Sequence, residues 1–114
     1  NQRAYDLLKN SAPQYANHTK NKLEHAYRMG RVCHKLNKSS EAINYYNQVI
    51  TAGATQPWYF ACNAALQLGS LYEERKEWAN ARQAYQKAAN IDPEEYATSL
   101  HARAKAGINR TKGK

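Results

Sequence analysis

Residues 62–95 read CNAALQLGSLYEERKEWANARQAYQKAANIDPEE, and this stretch decides the fold. It holds one helical segment up to about Arg75, a break at Lys76-Glu77, a second segment over about 78–90, and a stop at Asp92-Pro93. Leu68-Gly69 lies in the first segment, and Ala81, Tyr85 and Ala88 lie in the second. Upstream, Met29-Gly30, Ala42, Tyr46 and Val49 recur with the same offsets of 12, 16 and 19 residues from the glycine. Self-similarity of this kind marks a repeat architecture. Its physical content is a close crossing. The glycine removes a side chain where the second helix passes, the alanine does the same from the other side, and the tyrosine fills the space between neighbouring pairs.

These residues resemble the tetratricopeptide repeat family, whose pattern W-x2-L-G-x2-Y…A-x3-F…P spans about 34 residues. Residues 62–95 carry Leu68, Gly69, Tyr72, Ala81, Tyr85 in place of Phe, Ala88 and Pro93, with Ala65 where Trp belongs. Residues 23–52 follow it more loosely, with Met29 for Leu, Cys33 for Tyr and Ala54 at the Pro position. Tyr5, Leu8 and Pro13 have the spacing of Tyr85, Ala88 and Pro93. Residues 1–13 are therefore expected to be the second helix of a truncated preceding repeat. A repeat with an extended first helix follows over 14–54, another repeat over 55–95, a capping helix over 93–110, and a flexible basic tail over 111–114. The resemblance implies an all-α, right-handed solenoid of antiparallel helix pairs, about six helices in all. The opening Asn1-Gln2-Arg3-Ala4, with neither Met nor an apolar leader, reads as a cut end. The expectation is the C-terminal part of a larger repeat protein.

Composition agrees. Alanine occurs 19 times and leucine 8, against two valines and four isoleucines, a balance that favours helix over sheet. A first helix is expected at about 2–10 and a second at about 14–37, with Leu23, Ala26, Met29, Cys33 and Leu36 on one face. Ser39-Ser40-Glu41 offers a cap for a helix ending at Gly53, and Pro57 suits the first position of the next. Asp92-Pro93-Glu94-Glu95 offers a cap, an N1 proline and two carboxylates for a last helix over about 93–109. That helix lacks the Leu-Gly pair, with Arg103 falling at the glycine position on the family period, so it reads as a solvating end cap. Gly30 and Gly69 lie 39 residues apart, so residues around 14–22 and 53–60 lengthen the first helix of each pair. Trp58-Tyr59-Phe60 falls in one extension, either packed on the convex side or forming a docking patch.

No stretch of the sequence is long and apolar enough for a membrane-spanning helix, and two cysteines cannot make a disulfide framework. Zinc-protease, Cys-x-x-Cys and nucleophile-elbow motifs are absent, and Gly107 to Gly113-Lys114 has the wrong spacing for a phosphate loop. His18, His25, His34 and His101 lack the spacing of a metal set and read as solvated, while Cys33 takes a core position as an inert thiol. The three Asn-x-Ser/Thr triplets, at Asn17, Asn37 and Asn109, are attributed to chance in an asparagine-rich chain. The reading is a non-enzyme that needs no cofactor and no metal.

The formal charge of +8 is uneven. Residues 1–57 hold 8 basic and 3 acidic residues, 58–95 hold 4 and 6, and 96–114 hold 5 and none. Two basic ends around an acidic middle suit a matched protein better than a uniform polyanion. In the family, first helices line a groove for a peptide. The resemblance places Glu24, Tyr27, Arg28, Arg31, His34 and Lys35 there from one repeat, and Asn63, Leu66, Gln67, Ser70, Glu73 and Glu74 from the next. On the family period, Ala97 and His101 follow. The candidate groove is thus Tyr27, Arg28, Arg31, His34, Lys35, Gln67, Ser70, Glu73, Glu74 and His101. Only Arg31 keeps a positive charge at the positions with which one subgroup grips C-terminal carboxylates, so that clamp is not expected. The expected function is a protein-interaction scaffold, with Arg28, Arg31 and Lys35 selecting acidic partner segments. Two alternatives stay open: a single-stranded RNA binder, weakened because Tyr46, Tyr72 and Tyr85 take core positions, and a spacer within a larger array. An apolar edge on the unpaired leading helix offers a route to pairing of two copies.

Overall fold

Among the described residues of a computed structural model, 19–54, 59–93 and 96–114, the chain forms five α-helices and no strand. They are α1 (Thr19–Lys35), α2 (Ser39–Gly53), α3 (Phe60–Glu74), α4 (Trp78–Asn90) and α5 (Ala97–Thr111). The expected helix at about 2–10, the truncated repeat over 1–13, Pro57 and Trp58 lie outside the described residues.

Helix pairs α1–α2 and α3–α4 are built alike. In each, a three-residue turn reverses the chain, with Asn37 and Lys76 in the left-handed region at φ 60°. The Lys38 N–H bonds the Cys33 carbonyl at 2.8 Å, and the Asn37 N–H bonds that of His34 at 3.2 Å. Glu77 to Tyr72 and Lys76 to Glu73, each at 2.9 Å, repeat the pattern. This is the Schellman arrangement, which satisfies the last carbonyls of the first helix. It also sets where the second helix begins, because the Lys38 and Glu77 carbonyls already accept from Ala42 and Ala81. The Ser39 side chain is therefore not the cap expected of it. Lys38 holds the cap position, with no side-chain hydrogen bond.

The repeat glycines do what their spacing implies. A Cβ on Gly30 would lie 2.7 Å from the Tyr46 ring, and one on Gly69 would lie 2.6 Å from the Tyr85 ring. Tyr46 is 0% exposed and Tyr85 3%, each helped into place by Ala42 or Ala81 at 0%. Burying side chains of this size contributes on the order of 1.5–3 kcal/mol each. Leu68, Leu71, Met29, Val49 and Phe60 are among the residues packed with them in the core. Phe60 sits beside Tyr27, with ring centroids 6.4 Å apart, so this aromatic is a core residue and not part of a convex-side cover. Gly53 ends α2 for a packing reason and not as a left-handed cap. Its missing Cβ would stand 3.2 Å from Ala61 Cβ and 3.3 Å from Leu23 Cδ1.

The last helix differs most from expectation. It begins at Ala97 after Tyr96, which has φ 59°, and not at Asp92-Pro93; Pro93 is buried in the irregular segment before it. It runs to Thr111, the first residue of the expected tail, and residues 112–114 beyond it are exposed. Thr111 is fully buried, its hydroxyl donates to the Gly107 carbonyl at 2.9 Å, and its own carbonyl accepts from Arg82 Nη2 at 3.0 Å. Lys114 Nζ then lies 5.3 Å from the Trp78 ring centroid, within cation–π range.

Curvature follows from which helices meet. Helices α1, α3 and α5 pack in sequence, α1 on α3 and α3 on α5, whereas among the described residues no Cα of α2 comes within 8 Å of one in α4. A row whose first helices abut and whose second helices splay apart bends toward the first helices. Their outward sides form the concave face.

Candidate peptide-binding face

Two parallel side-chain chains link successive first helices across this face. In one, the His34 Nε2–H donates to the Glu74 carboxylate at 3.0 and 3.1 Å, and its Nδ1 is hydrogen-bonded with the Tyr46 hydroxyl at 3.2 Å. In the other, the Tyr85 hydroxyl donates to Glu73, and Arg110 donates to the same carboxylate at 2.8 and 3.3 Å. His34 and Glu73 each precede their tyrosine by 12 residues. The repeat's core tyrosine is therefore tethered through its own first helix to the next one. Hydrogen bonding by Arg110 holds the Glu73 carboxyl below the usual carboxylate range. Burial, and then the Glu73 hydrogen bond, push the Tyr85 phenol up to about 12. Burial raises Tyr46 further.

This geometry sets the register of α5. Arg110 answers to Glu74, an interval of 36 residues, and Leu100, Ala104 and Ile108 then answer to Ala64, Leu68 and Tyr72. Lys105, not Arg103, stands at the glycine position. The positions on the concave face are Ser99 and Arg103, displaced by two from the expected Ala97 and His101. His101 is turned away from the groove, its Nε2 donating to the Ile91 carbonyl at 2.6 Å, where it caps the end of α4. It is neither a groove residue nor simply solvated, and His34 too is engaged.

The remaining candidates fall into two groups. Arg28 is exposed and already paired with Glu24 at 2.6 Å, and Glu73 and Glu74 are held by Arg110 and His34. Tyr27 is buried, its hydroxyl accepting from Asn63 Nδ2 at 2.8 Å and Arg31 Nη1 at 3.3 Å. The hydrogen bond that Arg31 donates to the Tyr27 hydroxyl raises the Arg31 pKa, keeping the guanidinium charged. Among the described residues no carboxylate pairs with Arg31, Lys35 or Arg103, and neutral Gln67 and Ser70 lie between them on α3. Within the expected acidic wall, Glu73 is thus neutralised by Arg110 and Glu74 is hydrogen-bonded by His34. Arg103 and Arg110 were missed because their roles depend on the α5 register, which the Leu100, Ala104, Ile108 spacing carries and the family period does not.

Both cysteines are buried. Burial pushes the Cys62 thiol up to about 11, and its Sγ donates to the Ala88 carbonyl at 3.3 Å. Cys33 Sγ lies 3.8 Å from Glu41 Oε2. No group of three or more His, Cys, Asp or Glu side chains that could hold a metal ion occurs among the described residues, and no described helix is long and apolar enough to cross a membrane.

Paired antiparallel helices with a glycine–tyrosine crossing, stacked so that first helices form one face, define a helical-repeat solenoid. Two tetratricopeptide repeat family models match it, over residues 63–94 and 23–52, together just over half of the chain. The chain belongs to the tetratricopeptide repeat family. Comparison with curated proteins and with solved structures returns no match. Repeats of this family are in general protein–protein interaction modules.

Proposed function

We propose that this chain is a non-catalytic scaffold that binds a partner segment along the concave face of α1, α3 and α5. The observation that carries the reading is the charge pattern of that face. Glu24 and Glu73 are each paired with an arginine of the protein itself and Glu74 is hydrogen-bonded by His34, while among the described residues no carboxylate pairs with Arg31 or Lys35. Acidic side chains of a partner would meet them at an exposed rim, where such pairs set selectivity and association rate more than affinity. Two buried repeat tyrosines, Tyr46 and Tyr85, are withdrawn from any stacking role, which weighs against single-stranded RNA.

Selection of random displayed peptides against the 114-residue chain tests this. Enriched peptides are expected to carry Asp or Glu and to lose binding to Arg31→Glu. Enrichment that ignores this substitution, or preferential capture of mixed-sequence RNA at moderate salt, would count against it.

A further inference from the structure

The first helices all end on one edge of the solenoid. His34 in the last turn of α1 meets Glu74 in the last turn of α3, and Glu73 meets Arg110 in the last turn of α5. Lys114 lies over Trp78 at the start of α4. The two turns of the helix pairs and the end of α5 therefore lie side by side. Residues 35–41, 73–78 and 110–114 form this turn edge and hold seven Lys or Arg against four Glu, a net charge of +3. The opposite edge is closer to balance. Its described residues, 19–24, 50–54, 59–63, 87–93 and 96–100, hold three basic and two acidic side chains.

Within the turn edge, Glu73 and Glu77 are paired with Arg110 and Arg75, and Glu74 is hydrogen-bonded by His34. The side chains offered to solvent are lysines. Lys35, Lys76, Lys112 and Lys114 are exposed, and Lys38 is half-buried. Lys76 has φ 60° at the tip of its turn, a conformation that favours glycine. Keeping a lysine there lowers stability relative to glycine and sets a charge at the outermost point of the turn.

We propose that the turn edge docks on an anionic lipid bilayer, with lysines from all three helix ends in the headgroup layer. Lysine stems and a tryptophan ring are amphipathic and settle at that level, which suits the half-buried Trp78 among the lysines. Single-stranded nucleic acid fits less well. It asks for aromatic faces on which bases stack, and Trp78, the one aromatic residue of these three stretches, already has Lys114 Nζ 5.3 Å from its ring centroid. Helices α1, α3 and α5 then stand end-on to the membrane, and the concave face along their sides stays open. This docking goes beyond the scaffold reading and does not depend on it. A lysine near an anionic leaflet is worth about five-fold in affinity, so a net +3 gives a preference for anionic vesicles on the order of a hundred-fold.

The test is flotation of the 114-residue chain with vesicles at millimolar lipid and about 0.1 M salt, of phosphatidylcholine alone or with about 30% phosphatidylserine. The chain should float with the phosphatidylserine vesicles only, and about 0.5 M salt should release it. Lys76→Gly should bind them about five-fold more weakly although its thermal midpoint rises, which separates docking from folding. Lys112→Gln combined with Lys114→Gln should weaken binding about twenty-five-fold. Lys87→Gln removes the same charge from the opposite edge, nine residues and roughly 14 Å along α4 from Trp78, and should leave binding unchanged. Equal binding to both vesicle types, no binding to either, or a Lys87→Gln loss matching that of Lys76→Gly overturns the docking and leaves the scaffold reading untouched. Retention of mixed-sequence RNA or duplex DNA at a salt that releases the vesicles, weakened by Lys76→Gly, gives the edge to nucleic acid and overturns it as well.

Discussion

Adding one methyl group at Gly69 separates packing from helix propensity by the sign of the effect. In a helix interior, Gly→Ala alone stabilises by about 1 kcal/mol. Here the new Cβ would lie 2.6 Å from Tyr85 Cε1 and 2.8 Å from both Cδ1 and Cζ. The ring cannot retreat. On its far side Gly107 packs so closely that a Cβ there would also stand 2.6 Å from ring atoms. Its hydroxyl is held by Glu73 and Arg110. Overpacking a fixed core costs about 1–3 kcal/mol, and each hydrogen bond disturbed adds about 1 kcal/mol. After the propensity gain, Gly69→Ala should destabilise by about 2 kcal/mol, seen as a lower midpoint in urea with unchanged slope. In a double-mutant cycle, the penalty should largely vanish against a Tyr85→Leu background, because the ring that is struck is gone. A Gly69→Ala chain more stable than the parent by about 1 kcal/mol would refute the crossing as the reason for the glycine.

Three further expectations follow from the described contacts. Glu73→Gln should cost about 1–2 kcal/mol at pH 7. Because the folded carboxyl titrates below its ordinary 4.5, that contribution is present above this pH and fades as pH falls through the folded value, so the parent and variant should converge in acid urea titrations. Neither thiol should react with an aromatic disulfide reagent at pH 8 in the native chain, Cys62 being pushed up to about 11, and both should react in denaturant; rapid native labelling would contradict their burial. Lys76→Gly should stabilise by about 0.5–1 kcal/mol, since a lysine at φ 60° carries a left-handed cost that glycine does not, and thermal melts should show a higher midpoint.

The helix pairs were legible because a close crossing leaves local marks. Gly30 and Gly69, with Ala42, Tyr46, Ala81 and Tyr85 at fixed offsets, report on contacts between residues 12 to 16 apart, within reach of a repeat comparison. What the sequence hid lies between repeats. The Glu73–Arg110 pair joins residues 37 apart and His34–Glu74 joins residues 40 apart, on helices whose relative register is set by intervening loops. Helix α5 starts at Ala97, and the two-residue slip from the family period exchanges His101 for Arg103 on the concave face. The same limit explains the mistaken caps at Ser39 and Asp92. A side chain able to cap is visible in sequence, but the preceding turn decides whether the helix starts there. The burial of Thr111 was hidden for a related reason: its carbonyl is bonded by Arg82, 29 residues away on α4.

The most direct test of the account is where an acidic peptide touches the chain. In heteronuclear NMR titration of the labelled protein with a di-glutamate peptide, amide and side-chain shifts should concentrate on Arg31, Lys35, Gln67, Ser70 and Arg103, on the three first helices. Shifts concentrated on α2 and α4, or none at concentrations where the peptide is shown to bind, would contradict a binding face built by α1, α3 and α5.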